Sequence, residues 1–169
     1  LILESAKAGA DYVKLQTFKP DTITVRGKDS RFEIQSGLWA GYRLHDLYAK
    51  AMTPWEWHKP LFKYAQEVGI ILFSSPFDET AVSFLEEEIN PPLYKVASFE
   101  LNHFPMLKEI GETRKPVIAS CGVSCDDTVN KAIDCLSSCG CPEITLLHCV
   151  SEYPAEPDDF FLREMPQIK

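Results

Sequence analysis

The sequence predicts an α/β fold built on a parallel sheet. Three observations carry that reading: short apolar, β-rich runs recur along the chain, helical patterns with their own caps fill the intervals, and polar residues gather just after each run. Near-continuous apolar runs mark strands buried on both faces, as parallel strands are. Strands alternating with helices need crossover connections, which make neighbouring strands parallel.

Each element has a local reason. The opening LILESAKAGA reads as the last two turns of a helix, with Gly9 as its C-cap. Strands are predicted over 11–17, 68–74, 93–97, 116–120 and 143–148. A helix is predicted over 54–68, with Thr53 as N-cap, Pro54 at the first helical position and Glu56 in the first turn. Asp78 caps a helix to about Glu88, Pro105 starts a short one to Gly111, and Asp126 or Asp127 caps another ending near Gly140. Residues 19–53 carry charge and aromatics (Phe32, Trp39, Tyr42, Tyr48) without clear periodicity. A long strand-to-helix insertion of this kind reads as a lid or binding loop. No repeat, low-complexity tract or linker divides the 169 residues, so one domain is expected.

Composition narrows the function. With 45% hydrophobic and 25% charged residues, the chain is an ordinary globular sequence rather than a disordered one. The formal charge of −8 argues against a nucleic-acid or anionic-membrane surface, while leaving room for a local basic pocket. No apolar run reaches the roughly 18–20 residues of a membrane helix, and no secretion signal opens the chain. Six cysteines, at 121, 125, 135, 139, 141 and 149, lack the C-x2-C knuckle of a zinc ribbon and read as reduced, mostly structural thiols.

The chemistry-bearing residues fall at strand C-terminal ends: Lys14, Gln16 and Thr17; Ser74 and Ser75; Lys95, Ser98 and Glu100; Ser120 and Cys121; His148, Cys149, Ser151 and Tyr153. That is the face where parallel α/β folds bind ligands. The sharpest signal is a lysine inside each of two apolar strands, Lys14 and Lys95. A buried ammonium is costly unless paired, so an anionic ligand is a natural partner. The competing reading pairs these lysines with structural carboxylates such as Glu100. Serine hydroxyls suit phosphate or carboxylate oxygens, although a single serine at a strand end is more often a helix cap.

Five segments in order resemble the sialic acid synthase family: DYVKLQTF at 11–18, FSSPFD at 73–78, YKVASFE at 94–100, PVIASCG at 116–122 and LHCVSEYP at 147–154. TPWEWHKPL at 53–61 is most similar to the pseudaminic acid synthase branch. The resemblance implies a (β/α)8 TIM barrel of which about five βα units fall within residues 1–169. The first strand and the last strands of the barrel, and a C-terminal antifreeze-like domain, are expected outside them. It implies condensation of phosphoenolpyruvate with an N-acetylated amino sugar to a nine-carbon 2-keto acid such as pseudaminic acid, with release of phosphate. It also implies a Mn2+ or Mg2+ cofactor whose ligands lie outside this chain, a homodimer when full length, and a cytoplasmic enzyme.

Carried over position by position, Lys14 is expected beside the phosphoenolpyruvate carboxylate or the reacting carbons. Glu100 handles a proton or a sugar hydroxyl, Gln16 positions the sugar and Ser75 donates to phosphoenolpyruvate. Lys95 and Ser120 hold the phosphate with Ser98 nearby, and Ser151 and Tyr153 line the sugar pocket. Cys121 stands where the family pattern has threonine. Cys149 belongs to the pattern and is read as no catalytic nucleophile. His148 is read as structural or supporting, and His45, His58 and His103 as surface or loop residues. The isolated chain is expected to lack synthase activity and, with open sheet edges, to aggregate. Alternatives stay open: an N-acetylneuraminate or legionaminic acid synthase, a non-catalytic phosphate-binding barrel fragment, or another phosphoenolpyruvate-condensing barrel, against which the LHC…YP segment speaks.

Overall fold

The computed structural model describes residues 1–152, 154–163 and 165. The elements run α1 (Ile2–Lys7), β1 (Tyr12–Thr17), α2 (Pro20–Ile23), α3 (Leu44–Ala51), α4 (His58–Val68), β2 (Ile71–Pro76), α5 (Glu79–Glu88), β3 (Tyr94–Val96), α6 (Phe104–Glu112), β4 (Val117–Ser120), α7 (Asp126–Ser138) and β5 (Ile144–Leu147). All five predicted strands are present. They form one sheet in the order β1-β2-β3-β4-β5, every neighbouring pair parallel.

Alternation sorts the side chains onto two faces. On the outer face, Tyr94, Val96, Val117 and Ala119 join Val82 and Leu85 of α5, Met106, Leu107 and Ile110 of α6, and Ala132 and Leu136 of α7 in the main core. A second core sets Leu72, with Val13 and Leu15, against Ile2, Leu61 and Ala65. Each such fully buried aliphatic side chain contributes about 1.5–3 kcal/mol. The helices that build these cores lie on one face, and strand order follows chain order. A barrel wall has that layout, whereas a doubly wound sheet reverses its order and carries helices on both faces.

The boundaries correct several expectations. β2 starts at Ile71 rather than 68, because α4 runs to Val68 and Gly69 ends it in the left-handed conformation, φ +78°. Pro54 does not open α4. It is extended, a 3-10 turn covers Trp55–Trp57, and the Trp55 indole N–H donates to the Phe18 carbonyl at 3.2 Å, tying the turn to the end of β1. Cys125, not an aspartate, is the N-cap of α7, with Asp126 and Asp127 in its first turn. Asp78 caps α5 as expected, accepting from the Thr80 and Ala81 amides. The 19–53 segment contains α2, α3 and a turn bridged between Glu33 and Arg43.

His58 is the largest correction, since it is fully buried rather than on the surface. Its Nδ1 lies 3.3 Å from the Pro54 carbonyl, so it carries the proton there and leaves Nε2 to accept from the Thr17 hydroxyl at 2.8 Å. Thr17 in turn accepts from the Ser74 hydroxyl at 2.7 Å. This chain joins β1, β2 and α4 behind the sheet. Burial holds His58 below its ordinary value of 6.5, outweighing the backbone contacts at Pro54 and Trp55. The unfolded chain therefore takes up a proton that the fold refuses. The stability contributed is complete above about pH 6.5 and declines as pH drops below that value. Urea midpoints at pH 7.5 and 5.5 should show a larger loss for the full-length wild type than for His58→Gln; equal losses would remove His58 from the account.

Candidate active site

The inner face of the sheet carries the polar set. In β1, Lys14 pairs in register with Phe73 and Gln16 with Ser75 of β2. Ser74 pairs with Tyr94, so the next residues, Ser75 and Lys95, share the inner face. Lys95 pairs with Ile118, which places Ser120, two residues on, beside it. Ser74 and Thr17, grouped with the strand-end polar residues by sequence, point to the outer face and belong to the His58 chain. Adjacent residues in a strand cannot share a face, so only Ser75 of the serine pair reaches the inner side.

Lys95 is 8% exposed, and its ammonium donates to Ser120 Oγ at 2.6 Å and to the Val96 carbonyl at 2.5 Å. Burial, and then the positive Lys14, bring its pKa down to about 8 against the weaker pull of Cys149, Glu100 and Cys121. Lys14, at the open β1 edge, is exposed rather than buried as the sequence suggested, although partial desolvation still holds it below its ordinary value. Among the described residues neither lysine makes an ion pair, so the structural pairing with Glu100 is not formed. Ser75 is buried with no partner for its hydroxyl. One buried ammonium without an ion pair, a second lysine exposed on the same face, and a buried, unused hydroxyl favour an anion in this mouth.

Glu100 closes a 3-10 turn, Ser98–Glu100, after β3. Burial raises its pKa, His103 and Lys95 pull it back less, and one carboxylate oxygen is buried without a partner. It therefore exchanges a proton nearer neutrality than a free carboxyl does. Ser98 lies at the junction of three strand ends: its Oγ accepts from the Gly122 amide at 3.3 Å and sits 3.2 Å from Cys149 Sγ. A methyl group at Gly122 would lie 2.4 Å from the Cys149 carbonyl oxygen and 2.8 Å from both Cys149 Sγ and Ser151 Oγ, which places Ser151 at the same junction. Tyr153 lies outside the described residues. The sequence placed Cys149 among the strand-end residues but did not single out the Gly122 amide, whose only signal was its place at the end of the fourth strand.

Cys121, in the threonine position, donates its thiol to the Leu147 carbonyl at 3.2 Å. His148 Nε2 donates to the Phe160 carbonyl at 2.8 Å, in keeping with a structural role. All six cysteines are free thiols. Among the described residues no group of three or more His, Cys, Asp or Glu could hold a metal, so the implied divalent ion does not fit the described residues and no step is derived through it. No helix among them is long and apolar enough to cross a membrane.

A sequential parallel sheet with helices on one face and polar groups at the C-terminal mouth defines a (β/α)-barrel-type protein. The chain belongs to the NeuB family, which it matches over residues 1–169. It is 40% identical over 162 residues to a pseudaminic acid synthase of Helicobacter pylori, a match covering 96% of this chain and 47% of that one. It is 31% identical over 172 residues to the N,N'-diacetyllegionaminic acid synthase of Campylobacter jejuni, covering 100% of this chain and 51% of that one. In fold it is similar to the N-acetylneuraminic acid (sialic acid) synthetase of Leptospira borgpetersenii, with TM-score 0.84 and 24% identity over 99% of this chain and 53% of that one. The chain spans about half the length of the curated relatives it matches.

Proposed function

We propose that residues 1–169 form five βα units of a (β/α)8 barrel whose full-length protein condenses phosphoenolpyruvate with an N-acetylated amino sugar. The product is a nine-carbon sialic-acid-like 2-keto acid, here pseudaminic acid, and phosphate is released. The observation that carries this reading is the pair of inner-face lysines without ion pairs, one bonded to Ser120 and flanked by the orphaned Ser75 hydroxyl. The phosphate is held by Lys95 and Ser120, with Ser98 alongside. The carboxylate lies toward Lys14, and Ser75 donates to the same ligand. Such charge-assisted bonds in a water-poor mouth are strong and directional. Glu100 holds and returns a proton near the reacting centre. Gln16, Ser151 and Tyr153 are assigned to the sugar, and the active protein is taken to be a homodimer.

The pseudaminic product is favoured by the higher identity to that synthase, 40% against 31% for the legionaminic one. Comparing kcat/KM of the full-length enzyme on the pseudaminic, legionaminic and neuraminic acid precursors tests this. The first should be preferred at least about tenfold, about 1.4 kcal/mol in the transition state. Preference for either other sugar overturns the assignment of product.

A further inference from the structure

We propose that a cleft at the rim of the mouth selects the acyl group on the sugar's amino substituent, and that Phe99 limits the size of that group. The proposal rests on the condensation reading above and adds to it the residues that read the sugar. The cleft has a volume of about 350 Å3, and its lining includes Ile23, Phe77, Phe99, Glu100, Asn102 and His103. These residues follow three consecutive strands: Ile23 ends α2 after β1, Phe77 follows β2, and 99–103 follow β3. The cleft therefore opens on the ligand-binding side of the sheet. Glu100 joins it to the anion site, since Glu100 and Lys95 lie near enough for each charge to act on the other.

The lining suits a neutral acylated amine. One Glu100 carboxylate oxygen is buried without a partner, and leaving such an acceptor unmade is costly, so a ligand N–H is favoured there. His103 is already paired with Glu79 at 3.4 Å, and neither lysine nor arginine lines the cleft among the described residues. An anionic substituent would find no partner and would meet Glu100. A bare ammonium would satisfy Glu100 but leave Ile23, Phe77 and Phe99 without apolar contact. An acylated amine satisfies both sets: its N–H goes to Glu100, its alkyl group covers the apolar side chains, and Asn102 supplies an N–H donor for its carbonyl.

Among the apolar side chains, Phe77 is fixed by its edge-on contact with Phe18, with ring centroids 5.4 Å apart, and Ile23 is half-buried. Phe99 is 69% exposed. It can therefore be truncated without opening the core, and it gains apolar contact only when a ligand fills the cleft.

The test compares kcat/KM of the full-length enzyme for the N-acetyl precursor sugar and its N-propanoyl counterpart, at saturating phosphoenolpyruvate. One methylene in an apolar pocket is worth about 10–200-fold, so the wild type should prefer the N-acetyl sugar at least about tenfold. Phe99→Ala should reduce that preference at least about tenfold, with the KM for phosphoenolpyruvate unchanged. Phe99→Leu, which keeps a smaller apolar group, should fall between the two, and it decides the matter if Phe99→Ala is inactive on both sugars. A preference that survives in the variants, or a wild type that uses both sugars equally, overturns the proposal while leaving the condensation reading in place. A wild type that condenses phosphoenolpyruvate with neither sugar overturns that reading and this proposal with it.

Discussion

Lys95→Ala in the full-length protein is expected to lower kcat/KM for phosphoenolpyruvate by about 10^2-fold or more, with the fold intact. The magnitude follows from removing hydrogen bonds to a charged group, each worth roughly 1.5–3 kcal/mol. The effect should fall on the anion rather than on stability. Lys95 is a desolvated cation without an ion pair among the described residues, so its removal relieves a desolvation cost that offsets the loss of its bonds to Ser120 and the Val96 carbonyl. Unchanged or raised urea midpoints beside collapsed kinetics would separate a lost ligand contact from unfolding. The wild type should also lose affinity as pH rises through about 8, where the unliganded Lys95 ammonium gives up its proton. Wild-type kinetics in the variant would remove Lys95 from the phosphate.

Gly122→Ala is expected to damage the fold and the mouth together. The added methyl would meet the Cys149 carbonyl oxygen at 2.4 Å, and backbone cannot swing aside as a long side chain can. Cys149 Sγ and Ser151 Oγ, both at 2.8 Å, close the other directions. Relief requires the ends of β4 and β5 to part, which pulls the Gly122 amide off Ser98 and shifts the groups around Lys95. Overpacking of this kind costs about 1–3 kcal/mol. Urea denaturation should show a loss in that range, and kcat/KM should fall at least about tenfold. A variant as stable and active as wild type would mean that the strand ends are not packed as described.

How far the sequence revealed this arrangement depends on the range of the forces involved. Strand periodicity is local, so all five strands were legible to within a few residues, and Asp78 was legible as a cap because its bonds reach only Thr80 and Ala81. The face each polar residue takes follows from register, which a single strand does not reveal. Thr17 and Ser74 therefore read as site residues although they bond to His58 behind the sheet. His58 itself read as a surface residue because its partners lie 41 positions away and in the turn at Pro54. The 19–53 segment hid α2 and α3, since helices of four and eight residues leave too few turns for a period to emerge. Among the candidate site residues, Lys14, Gln16, Ser75, Lys95 and Ser120 were legible from type and position. The convergence of Ser98, Gly122 and Cys149 was not, because it joins three separate strand ends.

The most direct measurement is phosphate release by the full-length protein, supplied with Mn2+ or Mg2+, from phosphoenolpyruvate in the presence and absence of the pseudaminic acid precursor sugar. The account predicts one phosphate for each nine-carbon 2-keto acid formed and none without the sugar. A protein that neither binds phosphoenolpyruvate nor releases phosphate from it under those conditions would contradict the account.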